Sequence, residues 1–311
     1  MIISTGGYAS FPVVLAGAFH RIPILLHEQN TIPGIVNRIC QFFAKKVAIS
    51  YQTTSRYFLR SKVAFTGNPV RKKILKAVAS VGRQKLNLDQ KRKTLLILGG
   101  SQGARRLNEI AAEMVDFFIA EDIQVIHITG RRDYDMVLSK TGNRVLDIEE
   151  AISEVKGKKR RIALRKYKLY HTFPYMYNIW DALSACDIAL SRAGATAIAE
   201  IEARGIPSII VPFPYSAEGH QQANAKVLLD AGAAVVFKEE ELTAESLSLT
   251  IRSFFADRKK MNEMSSAAKK LAVLDAAKKI ALIAYDILTT RGVLIKSDEK
   301  RVRTKKRKSV Q

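Results

Sequence analysis

The sequence predicts an α/β protein of doubly wound parallel sheets in two Rossmann-like domains, the first of them incomplete. Three observations carry that reading. At 311 residues, with 47% hydrophobic content and eight prolines, the chain is long and apolar enough for two well-buried cores. From Thr94 onward, short apolar runs alternate with helical patterns. The run from Leu95 to Leu98 breaks into Gly99-Gly-Ser-Gln-Gly-Ala-Arg105, which reads as strand, phosphate-sized turn and helix start. Glycines let the backbone approach a ligand closely, and the free amides of the following helix attract an anion. Such turns also occur in Rossmann-like domains that bind no nucleotide, so the turn alone leaves the ligand open.

In chain order, Met1-Ile-Ile-Ser reads as the end of a buried strand running into Thr5-Gly-Gly-Tyr-Ala-Ser10. Pro12 to Arg21 is an apolar helix, Ile22 to His27 a buried strand, and His27-Glu-Gln-Asn30 its polar end, where open α/β sheets place ligands. A helix is predicted from Ile32 to Ala44 after the start signal Pro33, then short strands at Lys46 to Ser50 and Lys62 to Thr66. About three strands thus precede the glycine turn, too few for a complete doubly wound sheet.

After Arg71, a short helix and a basic linker (Lys85 to Lys93) lead to the strand Thr94 to Leu98. Helix 104 to 119, strand 123 to 129, helix 131 to 139, a basic insertion, strand 167 to 173, helix 177 to 185, strand 188 to 192, helix 195 to 204, strand 207 to 213, helix 219 to 231 and strand 233 to 237 follow. Six strands with helices between them make a complete sheet. Helices at 243 to 256, 258 to 270 and 272 to 289 close the pattern, with no strand to pair them.

The formal charge of +22 is unevenly placed. Lys156 to Lys168 holds eight basic and no acidic residues, and Lys296 to Lys308 eight basic against two acidic; together they carry 14 of the 22 net charges. Such runs bind anionic headgroups or nucleic acid, or are simply solvated. No nucleic-acid partner is expected, because only Tyr167 and Tyr170 interleave with the basic residues and no recognition motif accompanies them. Cys40 and Cys186, two cysteines far apart in apolar contexts, suggest neither a disulfide framework nor a metal site. No run approaches the ~18 apolar residues that span a bilayer.

Further polar groups gather where strands end. Ser191-Arg-Ala-Gly194 leads into a helix carrying Glu200 one and a half turns inside, where a carboxylate can accept two hydrogen bonds from a ribose diol. Gly219-His-Gln-Gln-Ala-Asn224 opens another helix, and glutamine amides suit sugar hydroxyls. Each is also readable as an ordinary helix N-terminus.

Taken together, Thr5 to Ser10, His27 to Asn30, Gly67-Asn-Pro-Val-Arg71, Gly99 to Arg105, Ser191 to Ala195 and His220-Gln221 resemble the motif series of the MurG family, in order and spacing from Met1 to about residue 290. The resemblance implies a GT-B fold, two Rossmann-like domains facing across a cleft. It implies inverting transfer of N-acetylglucosamine from UDP-N-acetylglucosamine to the C4 hydroxyl of undecaprenyl-linked lipid I, giving lipid II for peptidoglycan synthesis. Residues 1–70 would be the remnant of the acceptor and membrane-side domain and 71–270 the UDP-sugar domain. Residues 271–290 would be a helix packing back towards the first domain, and 291–311 a basic, disordered tail. Carried over by motif, Asn30 and Arg71 would contact the donor from the N-terminal side, Ser101 its diphosphate or sugar, and the Met176 backbone the uracil. Ala195, Thr196, Ala197, Ile198, Ala199 and Glu200 would cover diphosphate and ribose, with Glu200 on the ribose hydroxyls, and Gln221 would bind the N-acetylglucosamine.

Inversion needs one displacement and no protein nucleophile. Helix amides near Ser101 and Gly194, with Arg71 or Arg192, would stabilise the diphosphate charge. For the proton, His27 and Glu28 are the strand-end candidates, each equally readable as a structural hydrogen-bonding group. No Asp-X-Asp pair lies near the turns, so neither a metal nor a tightly bound cofactor is expected. The resemblance also implies a peripheral location on the cytoplasmic face of the bacterial membrane, an anionic membrane surface as partner, and contact with other cell-wall synthesis proteins. Phe19, His20 and Arg21 would fall near the membrane patch. The family's preceding Gly-Gly-Thr-Gly-Gly-His loop has no counterpart in this sequence. The expectation is therefore an N-terminally truncated transferase. The alternative is a non-catalytic UDP-sugar-binding subunit or inactive fragment that needs a partner to supply the loop.

Overall fold

A computed structural model describes residues 1–99, 104–141 and 169–289. Ser101, the basic insertion (156–168) and the tail (291–311) lie outside the described residues. The chain divides into two compact units, Met1–Pro69 with the chain from Val273 onward, and Val70–Ala272.

The first unit is a parallel sheet of β1 (Ile2–Ser4), β2 (Ile24–Glu28), β3 (Lys46–Ile49) and β4 (Val63–Phe65), in that spatial order. There are four strands rather than about three. The opening strand is a full partner, with Ile2, Ile3 and Ser4 in register with Ile24, Leu25 and Leu26. Strand alternation sends Ile24 and Leu26 to one face, where they pack with Val14, Val36, Cys40, Val47 and Phe58. Leu25 and Ala48 point to the other, where Ile280 and Ile287 of the helix Ala276–Thr289 cover them. Both faces being covered explains why all five β2 residues are buried.

The helix predicted over 32 to 44 spans only Ile35–Cys40. Gly34 is extended, with ψ 150°, and its N–H goes to the Glu28 carboxylate, so the helix starts late. At the other end the Lys62 ammonium donates to the carbonyls of Gln41 and Phe42 at 2.8 and 3.0 Å, closing the helix early.

The second unit is a six-stranded parallel sheet of β5 (Lys93–Leu98), β6 (Ile123–Ile128), β7 (Tyr170–Phe173), β8 (Ile188–Ser191), β9 (Ser208–Ile210) and β10 (Ala234–Val236). Its spatial order is β10-β9-β8-β5-β6-β7, the order of a dinucleotide-binding doubly wound fold. Leu96, Ile126 and Ala189 face one core, and Leu95, Ile97, Val125 and Leu190 the other. The helix expected over 104 to 119 is two, Arg105–Glu113 and Val115–Ala120, broken at Met114 (φ −90°, ψ 11°). Among the described residues, no helix is long and apolar enough to cross a membrane.

Candidate functional site

The strand order of the second unit reverses between β5 and β8, which lie side by side with Leu98 opposite Ser191. The helix after β5, Arg105–Glu113, buries Leu107 and Ile110 in one core; the helix after β8, Ala195–Arg204, buries Ile198 and Ile201 in the other. The two connections leave to opposite faces and open a crevice at the strands' carboxyl ends, where such sheets bind ligands.

The connection after β8 is a short scaffold around an open backbone. Ser191 Oγ donates to the Arg192 carbonyl at 2.9 Å, and Asn224 Nδ2 to the Ala193 carbonyl at 3.2 Å. Gly194 is extended, and a Cβ there would meet nothing within 4 Å. No side chain caps the ten-residue helix that begins at Ala195, and its first turn holds no acidic residue. The amides of Ala195, Thr196 and Ala197 lie in that first turn, whose N–H groups lack intrahelical partners and attract anions. The Arg192 guanidinium is taken up by other parts of the protein. It is buried, donates to the carbonyls of Val211 and Pro212 at 3.2 and 3.4 Å, pairs with Glu239 and lies over the Phe213 ring.

Arg71 belongs to the second unit, not the first. Its NH2 group donates to Glu200 Oε1 at 3.0 Å, and its guanidinium lies 5.7 Å from the Trp180 ring centre, with the Lys73 ammonium at 4.5 Å from the same ring. Burial pushes the Glu200 carboxyl above the usual range, and Arg71 pulls it back. Half-buried Met176 packs against the core in the connection after β7, between Tyr175 and Tyr177, whose rings meet edge to face at 4.9 Å. Gln221 opens the helix His220–Asp230, its Oε1 accepting the Phe213 N–H at 2.9 Å, while Gln222 Nε2 donates to the carbonyls of Phe213 and Pro214. The two glutamines thus fix the loop before their own helix.

In the first unit, the Glu28 carboxylate accepts from Asn30 N and Asn37 Nδ2, both at 2.9 Å, from Gly34 N at 3.3 Å and from Asn30 Nδ2 at 3.4 Å. Burial pushes this carboxyl up and those N–H groups oppose the shift. His27 Nε2 lies 3.2 Å from the Gly67 carbonyl, which can only accept, so this nitrogen carries the proton. Burial holds the His27 imidazole below its ordinary pKa. Both proton-acceptor candidates thus make hydrogen bonds that tie the strand end to its neighbours.

Sequence reasoning missed a buried cluster of Asn108, His127, Asp133 and Tyr170, joined by hydrogen bonds of 2.7 to 2.9 Å. Its trace in the sequence is the histidine within the fully buried strand Ile-Gln-Val-Ile-His-Ile. Among the described residues, no group of three His, Cys, Asp or Glu is placed to hold a metal ion.

Residues 94–280 match the glycosyltransferase family 28 C-terminal domain, and residues 1–49 the family 28 N-terminal domain. The chain is 37% identical over 290 residues to the UDP-N-acetylglucosamine–N-acetylmuramyl-(pentapeptide) pyrophosphoryl-undecaprenol N-acetylglucosamine transferase of Desulforamulus reducens, covering 93% of this chain and 74% of that one. The protein of the same name from Halothermothrix orenii is 37% identical, over 87% of this chain and 70% of its own. The crystal structure of Acinetobacter baumannii MurG superposes with a TM-score of 0.64 at 23% identity, over 91% of this chain and 72% of that one. Anabaena HepE, solved with UDP and glucose, superposes at 0.54 with 14% identity, over 92% and 77%. These solved structures place the fold in the GT-B class.

Proposed function

The chain belongs to the MurG family of family 28 glycosyltransferases, and from that premise we infer that it moves N-acetylglucosamine from UDP-N-acetylglucosamine to the C4 hydroxyl of lipid I with inversion, forming lipid II. The observation that carries the donor-site reading is the Arg71–Glu200 pair on the helix whose uncapped N-terminus lies at the strand-order reversal. In this reading the amides of Ala195 to Ala197 take the diphosphate. Glu200, one oxygen held by Arg71, accepts the ribose hydroxyls with the other. The Met176 backbone reads uracil, and Gln221 meets the sugar. Ser101 is assigned to the diphosphate by motif alone.

The chemical step is a single displacement. The acceptor C4 oxygen forms a bond to the anomeric carbon as the bond to the UDP oxygen breaks, and the acceptor proton leaves with a base. The amides and Arg71 stabilise charge that grows on the leaving diphosphate, so they act more strongly in the transition state than before it.

The catalytic reading is tested by incubating the chain with UDP-N-acetylglucosamine and a short-chain lipid I analogue, following UDP release and the product's anomeric proton by NMR. A β-linked disaccharide is expected. Retention of configuration, or donor binding without turnover, overturns it. Membrane contact at the cytoplasmic face belongs to the same proposal: Phe19, 84% exposed and followed by His20 and Arg21, supports a peripheral mode on anionic lipid. Sedimentation with anionic and neutral vesicles at two salt concentrations tests this, and binding indifferent to lipid charge and salt overturns it.

A further inference from the structure

The buried cluster behind β5 and β6 has one self-consistent arrangement of protons. Asn108, His127 and Asp133 are each fully buried. Asn108 Nδ2 donates to the Thr129 carbonyl and to Asp133 Oδ2, both at 2.9 Å, so Asn108 Oδ1 is the atom that faces His127 Nε2 at 2.9 Å and accepts from it. His127 therefore carries its proton on Nε2, and its Nδ1 accepts from the Tyr170 hydroxyl at 2.7 Å. This links β7, β6, the first turn of the helix Arg105–Glu113 and Asp133 without a free donor along the way.

The relay ends at the surface. The second Asp133 oxygen, Oδ1, lies 3.3 Å from Arg132 Nε and 3.6 Å from Arg105 NH1. Arg105 is the first residue of the helix after the glycine turn, its side chain half-exposed, and its Nε also meets Glu109 at 2.6 Å. A fully buried carboxylate held from behind by an amide is a rigid anchor for a guanidinium, because Oδ2 cannot rotate away without leaving the buried Asn108 amide unpaired, and Oδ1 is fixed with it.

We propose that Asp133, locked by Asn108, is a positioning residue of the donor site: it fixes the Arg105 guanidinium and the first turn of its helix where they meet the donor's diphosphate. The proposal rests on the donor-site reading above and adds residues to which that reading gives no part. Arg105 touches the ligand; Asp133 acts through it.

The test is calorimetry with UDP and with uridine on the full chain, its Asp133→Asn and Arg105→Gln variants and the double variant, with thermal unfolding of each. Asp133→Asn is expected to weaken UDP binding roughly tenfold, the loss of one charge-assisted hydrogen bond, while leaving uridine binding unchanged. Arg105→Gln, at a half-exposed position, is expected to do the same without lowering the unfolding temperature, and the double variant to lose no more than either single one. Additive losses, or equal losses for UDP and uridine, overturn the proposal. So does UDP binding that Asp133→Asn leaves intact, with the donor-site reading still standing. Failure of the unmodified chain to bind UDP overturns both.

Discussion

Arg71 and Glu200, 129 positions apart in the chain, meet at 3.0 Å, with the arginine side chain half in solvent and the glutamate's 11% exposed. Burial favours the neutral acid and Arg71 favours the carboxylate. A ribose diol needs the carboxylate, which only accepts. Glu200→Gln is therefore expected to weaken UDP binding about tenfold and to shrink the preference for UDP over 2′-deoxy-UDP. Equal losses for both nucleotides would place Glu200 off the ribose.

Removing Arg71 exposes the other side of that balance. Without the guanidinium, burial alone sets the Glu200 carboxyl, and its pKa rises further. In Arg71→Ala, UDP affinity is expected to climb with pH as the carboxyl ionises above the usual carboxylate range, a dependence weaker in the unmodified chain. Titration calorimetry across a series of pH values checks it, and a variant with a flat profile contradicts the pairing.

The His127 relay makes the second unit sensitive to acid. Burial pushes the His127 imidazole down to about 3, so below its ordinary pKa the unfolded chain binds a proton that the folded chain refuses. Stability is expected to fall as pH drops from about 6.5 towards 3. Tyr170→Phe leaves His127 Nδ1 buried without its donor and is expected to cost about 1–3 kcal/mol at neutral pH. Urea unfolding of the two chains at pH 4 and 7 measures both effects.

What was legible in the sequence follows from burial. A parallel strand covered on both faces reads as a near-continuous apolar run, which is why Ile188–Ser191 is legible to within a residue, and Ile123–Ile128 as closely although Gln124 and His127 interrupt it. Glycine and small-residue breaks then marked the strand ends and hence the turns at the strand-order reversal. The rest depended on partners far along the chain. The apolar pattern runs straight through Met114, so nothing local marks the break there. Arg192 looked like a phosphate ligand because its neighbours are small; its commitments to Val211, Pro212 and Glu239 are made by folding. The late start of the helix at Ile35 depends on a hydrogen bond from Gly34 back to Glu28.

Glu202 is buried with its Oε1 unpartnered, and burial pushes its carboxyl up to about 8. The folded chain thus holds a proton that the unfolded chain releases at ordinary carboxylate pH, so this group costs stability increasingly as pH rises from about 4.5 to 8. Glu202→Gln, uncharged throughout, is expected to stabilise the chain by up to a few kcal/mol at pH 8 and to make little difference at pH 4. Thermal unfolding at the two values decides, and equal effects at both would mean that Glu202 does not titrate in this window.

Glu28 separates a structural role from a chemical one. Its carboxylate gathers four N–H contacts from Asn30, Gly34 and Asn37, and the same Asn37 amide lies 3.0 Å from where a Cβ on Gly6 would sit. Glu28→Gln turns an NH2 group towards fixed backbone and amide donors, a mismatch expected to cost about 2–4 kcal/mol. If Glu28 holds the loop, the variant melts earlier, and below its melting temperature its pH–rate profile keeps the unmodified shape. If Glu28 takes the acceptor's proton, the rate falls by a factor of about 100 or more and the acid limb of the profile disappears. The saturated geometry favours the first outcome, because an oxygen already accepting from fixed backbone and amide donors must give up one of them to receive a substrate proton.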